Sequence, residues 1–367
     1  MSNILFYTDT PNVGGAEKQM ALLAKHLKLR GCSVSLAYGK YSALGRHPEL
    51  LSNYDKTFVL NVIHKHDPRH YFELRRILSQ EKFDLVHLHL WNPGACRYAF
   101  MAAASNGVPI VTTEHDPFEL RGIKRALKLR AFRRTVHTIA ISQQGEMDLQ
   151  KWYGIPDDKI SVVNNGIDST SFPRKRESID PRLLGDDIMI TCIAELHERK
   201  GHKYLLEAFL KLQSTTPNLQ LQLVGTGPLE KELKSCYGAN PNIHFLGWRD
   251  DVPEILSKSD LLVLPSLKEA FGLVVLEAMA SGVVVIGTDG GGVRDIIRNG
   301  VDGLLVPPAN SDVLAEAMEK LLCNPEQKRA LEETALKRVQ EFSAERMTEE
   351  TFKIYSSVLP RIPSPSR

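Results

Sequence analysis

The chain carries the same opening twice. Near its start the apolar run Ile4–Tyr7 (ILFY) leads into the loop TDTPNVGG. A helical pattern then begins at Gly15, with Ala16, Met20, Leu23 and Leu27 on one face and a stop at Gly31. Much later, Ile188–Ile193 (IMITCI) leads into HERKG and an amphipathic stretch over Tyr204–Gln213. A short apolar run followed by residues of helical period predicts a buried strand feeding a helix. Further strands are predicted over Val34–Tyr38, Leu85–Leu88, Ile110–Thr113 and Thr138–Ile141, separated by helical stretches such as Tyr71–Gln80 and Tyr98–Ser105. In the second block they fall at Leu219–Val224, Ile243–Leu246, Leu261–Leu264, Val283–Gly287 and Leu304–Val306. Strands that alternate with helices pair in parallel through crossovers. The expected fold class is therefore α/β, with two doubly wound, Rossmann-like parallel sheets.

A length of 367 residues suits two domains. The expected division is an N-terminal domain over 1–170, a proline- and charge-rich linker over 171–187 and a C-terminal domain over 188–343. The tail would be helical over Asp312–Cys323, Glu326–Glu341 and Ala344–Val358, with the last helix crossing back to the N-terminal domain. The final PRIPSPSR is expected to be disordered. In such sheets ligands bind beyond the carboxyl ends of the strands, so the sequence predicts a cleft between two facing domains.

Charge and cysteine content narrow the functional classes. Residues 1–168 hold 22 Lys/Arg against 16 Asp/Glu, whereas the remainder hold 24 against 28. The basic half favours anionic partners, and no zinc-finger spacing or ribonucleoprotein aromatic motif points to nucleic acid. Five scattered cysteines without a Cys-x-x-Cys pair argue against a disulfide scaffold or zinc site. No apolar run approaches the ~18 residues that span a bilayer, and the start MSNILFYTD lacks signal-peptide character. A cytoplasmic protein, peripheral on the inner face of the membrane, is the expectation.

The motif richest in chemistry is KEAFGLVVLEAMASG, Lys268–Gly282, which follows the apolar strand LLVLPS. A helix over Leu273–Ala280 would leave the amides of Phe271, Gly272, Leu273 and Val274 pointing at a ligand, and Gly272 lets an anion approach the backbone. Glu277 can accept both hydroxyls of a ribose and Glu269 those of a sugar. Lys200, after the first strand of the second block, suits a diphosphate leaving group. His115, at the end of a predicted strand, can hydrogen-bond a sugar hydroxyl or help neutralise developing charge. His87 and His89 end another strand with side chains on one face, and are expected as supports. His64, His66 and His70 lie in a polar loop with no catalytic role expected.

These motifs occur in the order found in the family four retaining glycosyltransferases, which have the GT-B fold, and the chain resembles that family over nearly its whole length. The resemblance rests on Gly14-Gly15-Ala16-Glu17, Thr113-Glu114-His115-Asp116, Asn165-Gly166-Ile167-Asp168, Lys200-Gly201 and Val224-Gly225-Thr226-Gly227-Pro228. It continues through Glu269–Gly282, Gly291-Gly292-Val293-Arg294-Asp295 and Asn299-Gly300-Val301-Asp302-Gly303. It implies a nucleotide-diphosphate sugar as donor, UDP- or GDP-linked, with retention of configuration and neither cofactor nor metal. It places His115 beside the transferred sugar and makes His115, Lys200 and Glu269 the catalytic set. Gly15, Lys200, Gly227, Trp248, Arg249, Glu269, Phe271, Gly272, Leu273, Val274 and Glu277 would hold the donor; Gly14, Gly15 and His115 would shape the acceptor site. One departure stands out: Glu195 occupies the position of the arginine that family members pair with the lysine. Arg199 or His197 would then supply the missing charge, or Glu195 would orient Lys200.

Finally, Glu119–Arg134 (ELRGIKRALKLRAFRR) carries seven basic residues and one acid. Leu120, Ile123 and Leu127 share a helical face flanked by Arg121, Lys124, Arg125 and Lys128, a pattern suited to an anionic membrane surface. The expected function is hexosyl transfer from a nucleotide sugar to a glycan or polyprenyl-diphosphate-linked acceptor in cell-surface polysaccharide or lipid-linked glycan synthesis. The alternatives are a catalytically weak or inactive sugar-nucleotide-binding partner subunit and, less well matched, a sugar-nucleotide epimerase.

Overall fold

The computed structural model describes residues 2–174 and 187–359. The chain forms two compact units. One runs to Gly166 and takes in the segment from Ala344; the other is Ile167–Ser343. The expected linker falls mostly, and the expected disordered tail wholly, outside the described residues.

In the first unit β1 (Asn3–Tyr7), β2 (Ser33–Gly39), β3 (Lys56–Leu60), β4 (Leu85–Leu90), β5 (Ile110–Glu114), β6 (His137–Ala140) and β7 (Ile160–Val162) form one sheet. Their order is β3-β2-β1-β4-β5-β6-β7, and every pairing is parallel. Alternation along β1 divides the core: Ile4 and Phe6 pack on one face with Val34 and Leu36, while Leu5 and Tyr7 pack on the other with Leu74 and Leu88. All six residues of β4 are buried, His87 and His89 included, as expected of a central parallel strand covered on both sides. The helix Ala344–Val358 belongs to this unit. Its Met347, Phe352 and Tyr355 join the same cluster as Met20, Leu23 and Leu27 of the helix Gly15–Leu29.

In the second unit β8 (Ile188–Ile193), β9 (Leu219–Val224), β10 (Ile243–Gly247), β11 (Leu261–Leu264), β12 (Val284–Thr288) and β13 (Leu304–Val306) give the order β10-β9-β8-β11-β12-β13, again all parallel. In each sheet the winding reverses beside the first strand, between β1 and β4 and between β8 and β11. The adjacent carboxyl ends of those strands splay their loops apart, which leaves room for a ligand.

Two strands lie outside the sequence expectation. β3 (KTFVL) is an edge strand with only Leu60 buried, and β7 (ISV) is a three-residue edge. Neither offers a continuous apolar run. The helix expected over Glu326–Glu341 is α-helical over Pro325–Arg338 and tightens into a 3-10 turn at Val339–Phe342.

Candidate active site

In the second unit the chain leaves β11 through Pro265–Gly272 and enters the helix Leu273–Ala280. Gly272 caps that helix at φ +98°, a left-handed conformation that L side chains rarely adopt. A glycine cap has no side chain to satisfy the first amides. Among the described residues the N–H groups of Phe271, Gly272, Leu273 and Val274 donate no hydrogen bond to the protein. Unpaired donors at the positive end of a helix dipole are the arrangement that suits an anion. Leu273, Val274 and Glu277 are the half-buried positions in the first part of this apolar helix and share one face, since they lie three and four residues apart.

Lys200 ends the 3-10 turn Glu198–Lys200 after β8, the neighbour of β11. That adjacency brings Lys200 Nζ to 2.6 Å from Glu269 Oε2, and Ser266 Oγ donates to the same oxygen at 3.0 Å. The loop after β12 braces this corner: Thr288 Oγ1 donates to the Ser266 carbonyl at 2.5 Å and the Gly292 N–H to the Glu269 carbonyl at 3.0 Å. Ser266 and Thr288 were not singled out from the sequence; their small hydroxyls after apolar strands carry no signal until the strands are paired. Glu195 does not orient Lys200. Its carboxylate lies 3.8 Å from Arg199, on a half-exposed side chain, so its charge is directed to the arginine four residues on.

The remaining donor-site candidates are spread along the same sheet edge. Gly227 lies where an added Cβ would meet the Leu196 carbonyl at 2.5 Å, so it seals the loop after β9 against the loop after β8. Trp248 and Arg249 follow β10, the edge strand. Their partners are local: Trp248 Nε1 donates to Asp250 at 3.1 Å, and Arg249 grips Asp251 at 2.7 and 2.5 Å.

In the first unit the carboxyl ends of β1, β4 and β5 assemble a polar group that is almost wholly buried. Asp9 accepts from Trp91 Nε1 at 2.9 Å and from the Cys96 N–H at 2.8 Å, and burial raises its pKa. Its position in a strand-terminal TDT was the available signal, but its partners lie more than eighty residues away. His115 follows β5. Its ring stacks on His89 with centroids 5.5 Å apart, and its Nε2 lies 3.2 Å from His89 Nδ1. Burial pushes the His115 pKa down to about 4, because an imidazolium there would lose its hydration. His87 lies behind, its Nδ1 2.5 Å from Tyr355 Oη and its Nε2 2.8 Å from Thr113 Oγ1.

Gly14 caps the helix Gly15–Leu29, and its N–H donates to Glu17 Oε2 at 2.9 Å. The donor left in this glycine pair is therefore the Gly15 amide, which makes no hydrogen bond among the described residues. Of the histidines expected in a polar loop, His70 lies instead in the helix Arg69–Gln80, buried, with Nδ1 bonded to Tyr7 Oη at 2.8 Å and Nε2 to the His64 carbonyl at 3.2 Å, whereas His64 and His66 are exposed.

One expectation on the basic helix is corrected. Lys128 is not on the solvent flank; it is buried and ion-paired with buried Glu114, the residue before His115. The helix Gly122–Phe132 turns Lys128, Leu129 and Phe132 inward and leaves Ile123 and Leu127 exposed. A cation spaced like its neighbours gave no hint that a carboxylate fourteen residues earlier would draw it in. Among the described residues there is no cluster of three or more His, Cys, Asp or Glu able to hold a metal ion.

Comparison with known proteins places this geometry. The model of the Glycosyltransferase Family 4 domain matches residues 13–171 and that of the Glycosyl transferases group 1 domain residues 174–338. N-acetyl-alpha-D-glucosaminyl L-malate synthase of Bacillus anthracis is 30% identical over 307 residues, covering 78% of each chain. UDP-Gal:alpha-D-GlcNAc-diphosphoundecaprenol alpha-1,3-galactosyltransferase of Escherichia coli is 29% identical over 285 residues, covering 72% of this chain and 73% of its own. Among solved structures, Anabaena HepE in complex with UDP-glucose aligns with a TM-score of 0.82 at 21% identity, covering 97% of this chain and 100% of its own. With both sheets parallel and both domains matched in order, the chain belongs to the group 1 glycosyl transferases and is a glycosyltransferase of the GT-B fold.

Proposed function

We propose that the protein transfers a hexose-type sugar, with retention of anomeric configuration, from a UDP- or GDP-linked donor to a glycan or polyprenyl-diphosphate-linked acceptor. The observation that carries this reading is the run of four unpaired amides at Phe271–Val274 beside the Lys200–Glu269 pair. A diphosphate docked on those amides would draw Lys200 off Glu269. Lys200 would then stabilise the charge that grows on the leaving group. Glu269, freed from the lysine, would accept hydroxyls of the transferred sugar, and Glu277 those of the ribose. His115, neutral at physiological pH, would hydrogen-bond a sugar hydroxyl. The UDP-glucose bound by Anabaena HepE supports a uridine donor. The diphosphoundecaprenol named for the E. coli relative supports a lipid-linked acceptor and a role in cell-surface polysaccharide or lipid-linked glycan synthesis.

An acceptor of that kind sits at a membrane, and the first unit has a suitable surface. Ile123 and Leu127 are 81% and 58% exposed, and Arg121, Lys124 and Arg130 are exposed beside them on the same segment. Desolvation lowers the His66 pKa, and the charges of Arg97, Lys65 and Lys124 lower it further, so these three cations all lie near that ring. None of these three cations forms an ion pair among the described residues. Each basic residue near an anionic leaflet contributes about 1 kcal/mol. No helix of the described residues is long and apolar enough to cross a membrane, so attachment would be peripheral. Flotation with vesicles containing phosphatidylglycerol should recover the protein, and Ile123→Asp/Lys124→Glu should lose most of it; equal recovery of both would remove this surface from the account.

The enzymatic reading is tested by incubating the protein with a panel of sugar nucleotides while following thermal unfolding and sugar release. A donor at one hundred times its dissociation constant adds about 2.7 kcal/mol of stability. Stabilisation with slow turnover supports the reading, and a chelator should leave the rate unchanged. Stabilisation with no turnover on any acceptor would favour a non-catalytic sugar-nucleotide-binding subunit, the reading to which Glu195 in place of the family arginine lends its weight.

A further inference from the structure

Three histidines stack behind the carboxyl edge of the first sheet, and their hydrogen bonds are unequal. His87 is held at both nitrogens, by Tyr355 Oη and Thr113 Oγ1. His89 is held at one. Its Nδ1 faces His115 Nε2 at 3.2 Å, and its Nε2 is buried with no partner. The His89 ring packs against Phe6 at 4.8 Å and His87 at 4.1 Å between centroids. His89 and His115 are 2% and 8% exposed, and no carboxylate bonds to either ring. Both imidazoles are therefore neutral, since a buried unpaired charge is far costlier than a neutral ring.

Two neutral rings sharing one N···N contact allow two arrangements. If His115 donated from Nε2, His89 would carry its own proton on Nε2, an N–H buried without an acceptor. If His89 donates from Nδ1, its Nε2 keeps only a bare lone pair. Orphaned buried N–H groups are the rarer defect in proteins, so the second arrangement is favoured. His115 must then hold its proton on Nδ1. That nitrogen has no protein partner and is not among the buried unpaired atoms, so it is the ring atom left for a ligand.

We propose that His89 is the positioning residue for His115, fixing by its Nδ1–H the tautomer in which His115 presents Nδ1–H to the substrate. His115 then acts as a hydrogen-bond donor to a lone-pair oxygen, a sugar hydroxyl or a phosphate oxygen, and not as a base. The inference rests on the reading of His115 as a sugar-contacting residue.

Two measurements test it. The first uses the unmodified full chain. Long-range proton–nitrogen correlation spectra of histidine-labelled protein, with His115 assigned from the signals missing in His115→Ala, should show Nδ1 protonated and Nε2 bare on His115. The opposite tautomer, or rapid exchange between the two, would overturn the proposal whatever the variants do. The second compares variants. His89→Leu keeps an apolar body but removes the donor and should lower kcat about 10- to 100-fold with little change in donor KM, by analogy with the range for metal-bound histidines that lose their orienting hydrogen bond. His89→Asn places an amide N–H near the lost Nδ1–H and should recover most of that rate. A fall in His115→Ala together with a wild-type rate in His89→Leu would defeat this inference alone. A wild-type rate in His115→Ala would defeat the underlying reading and this inference with it.

Discussion

The two sheet edges use the same topology for opposite purposes. At the carboxyl edge of the first sheet the polar side chains are buried and most hold a partner: Asp9 is clamped by Trp91 and Cys96, Glu114 by Lys128, and His87 by Tyr355 and Thr113, while His89 Nε2 and Glu114 Oε2 are buried without one. At the corresponding edge of the second sheet four amides are unpaired, and the ion pair beside them, Lys200–Glu269, is partly open to solvent. A buried wall whose charges are offset by partners and whose histidines are neutral suits hydroxyl groups, which carry no charge and need orientation. An edge of unsatisfied donors suits a diphosphate, whose charge grows as it leaves. The contrast teaches that one strand order can open the same position in two sheets while the state of the polar groups there differs, and with it the ligand each edge would suit.

The largest effect should come from breaking the first edge. Lys128→Ala leaves Glu114 buried and unpaired, which costs about 3–5 kcal/mol. Urea denaturation should show this loss, and the double change Lys128→Met/Glu114→Gln should recover much of it. A cost near zero would mean that the pair is solvated and the wall is not dry. Next, Lys200→Ala should reduce kcat about 100-fold or more while the fold survives, as for other groups aimed at developing charge; initial rates and circular dichroism decide this. Smaller again, Glu277→Ala should weaken donor binding about tenfold, the loss of roughly one hydrogen bond to a charged acceptor at the low end of its range, read by calorimetry with the nucleotide.

The last prediction is an absence of effect. His115 has a folded pKa of about 4, below the ordinary 6.5, because burial disfavours its charged form. The stability it lends is complete above about pH 6.5 and is lost as the pH falls toward 4. Between pH 5.5 and 8 its ring stays neutral, so no limb of the kcat profile in that window should belong to it. A proton NMR titration of His115 with a midpoint near 6.5 would show a hydrated ring and contradict the contrast between the edges.

Much of this was legible in the sequence because parallel strands buried on both faces are written as unbroken apolar runs. β9, β11 and β13 fall on their expected residues, and the helix Leu273–Ala280 follows directly from its glycine and its composition. The Lys200–Glu269 pair was approachable too, since each residue follows a strand predicted from such a run. What could not be read is what depends on partners distant in the chain. Lys128 looks like any surface lysine until Glu114 is placed beneath it. His87 and His89 could be set on one face by their spacing, but Tyr355, which holds His87 at 2.5 Å, lies 268 residues away. β3 and β7 were missed because an exposed or very short edge strand needs no apolar pattern.

The account turns on whether the helix start at Phe271–Val274 receives a phosphate group. Hydrogen exchange of the full chain, read by mass spectrometry with and without saturating UDP, addresses it without any substitution. The account predicts that the segment covering 268–282 slows markedly, that uridine gives far less protection, and that the helix Gly122–Phe132 is unaffected. Unchanged exchange over 268–282 in a sample that demonstrably binds UDP would place the diphosphate elsewhere and contradict the assignment.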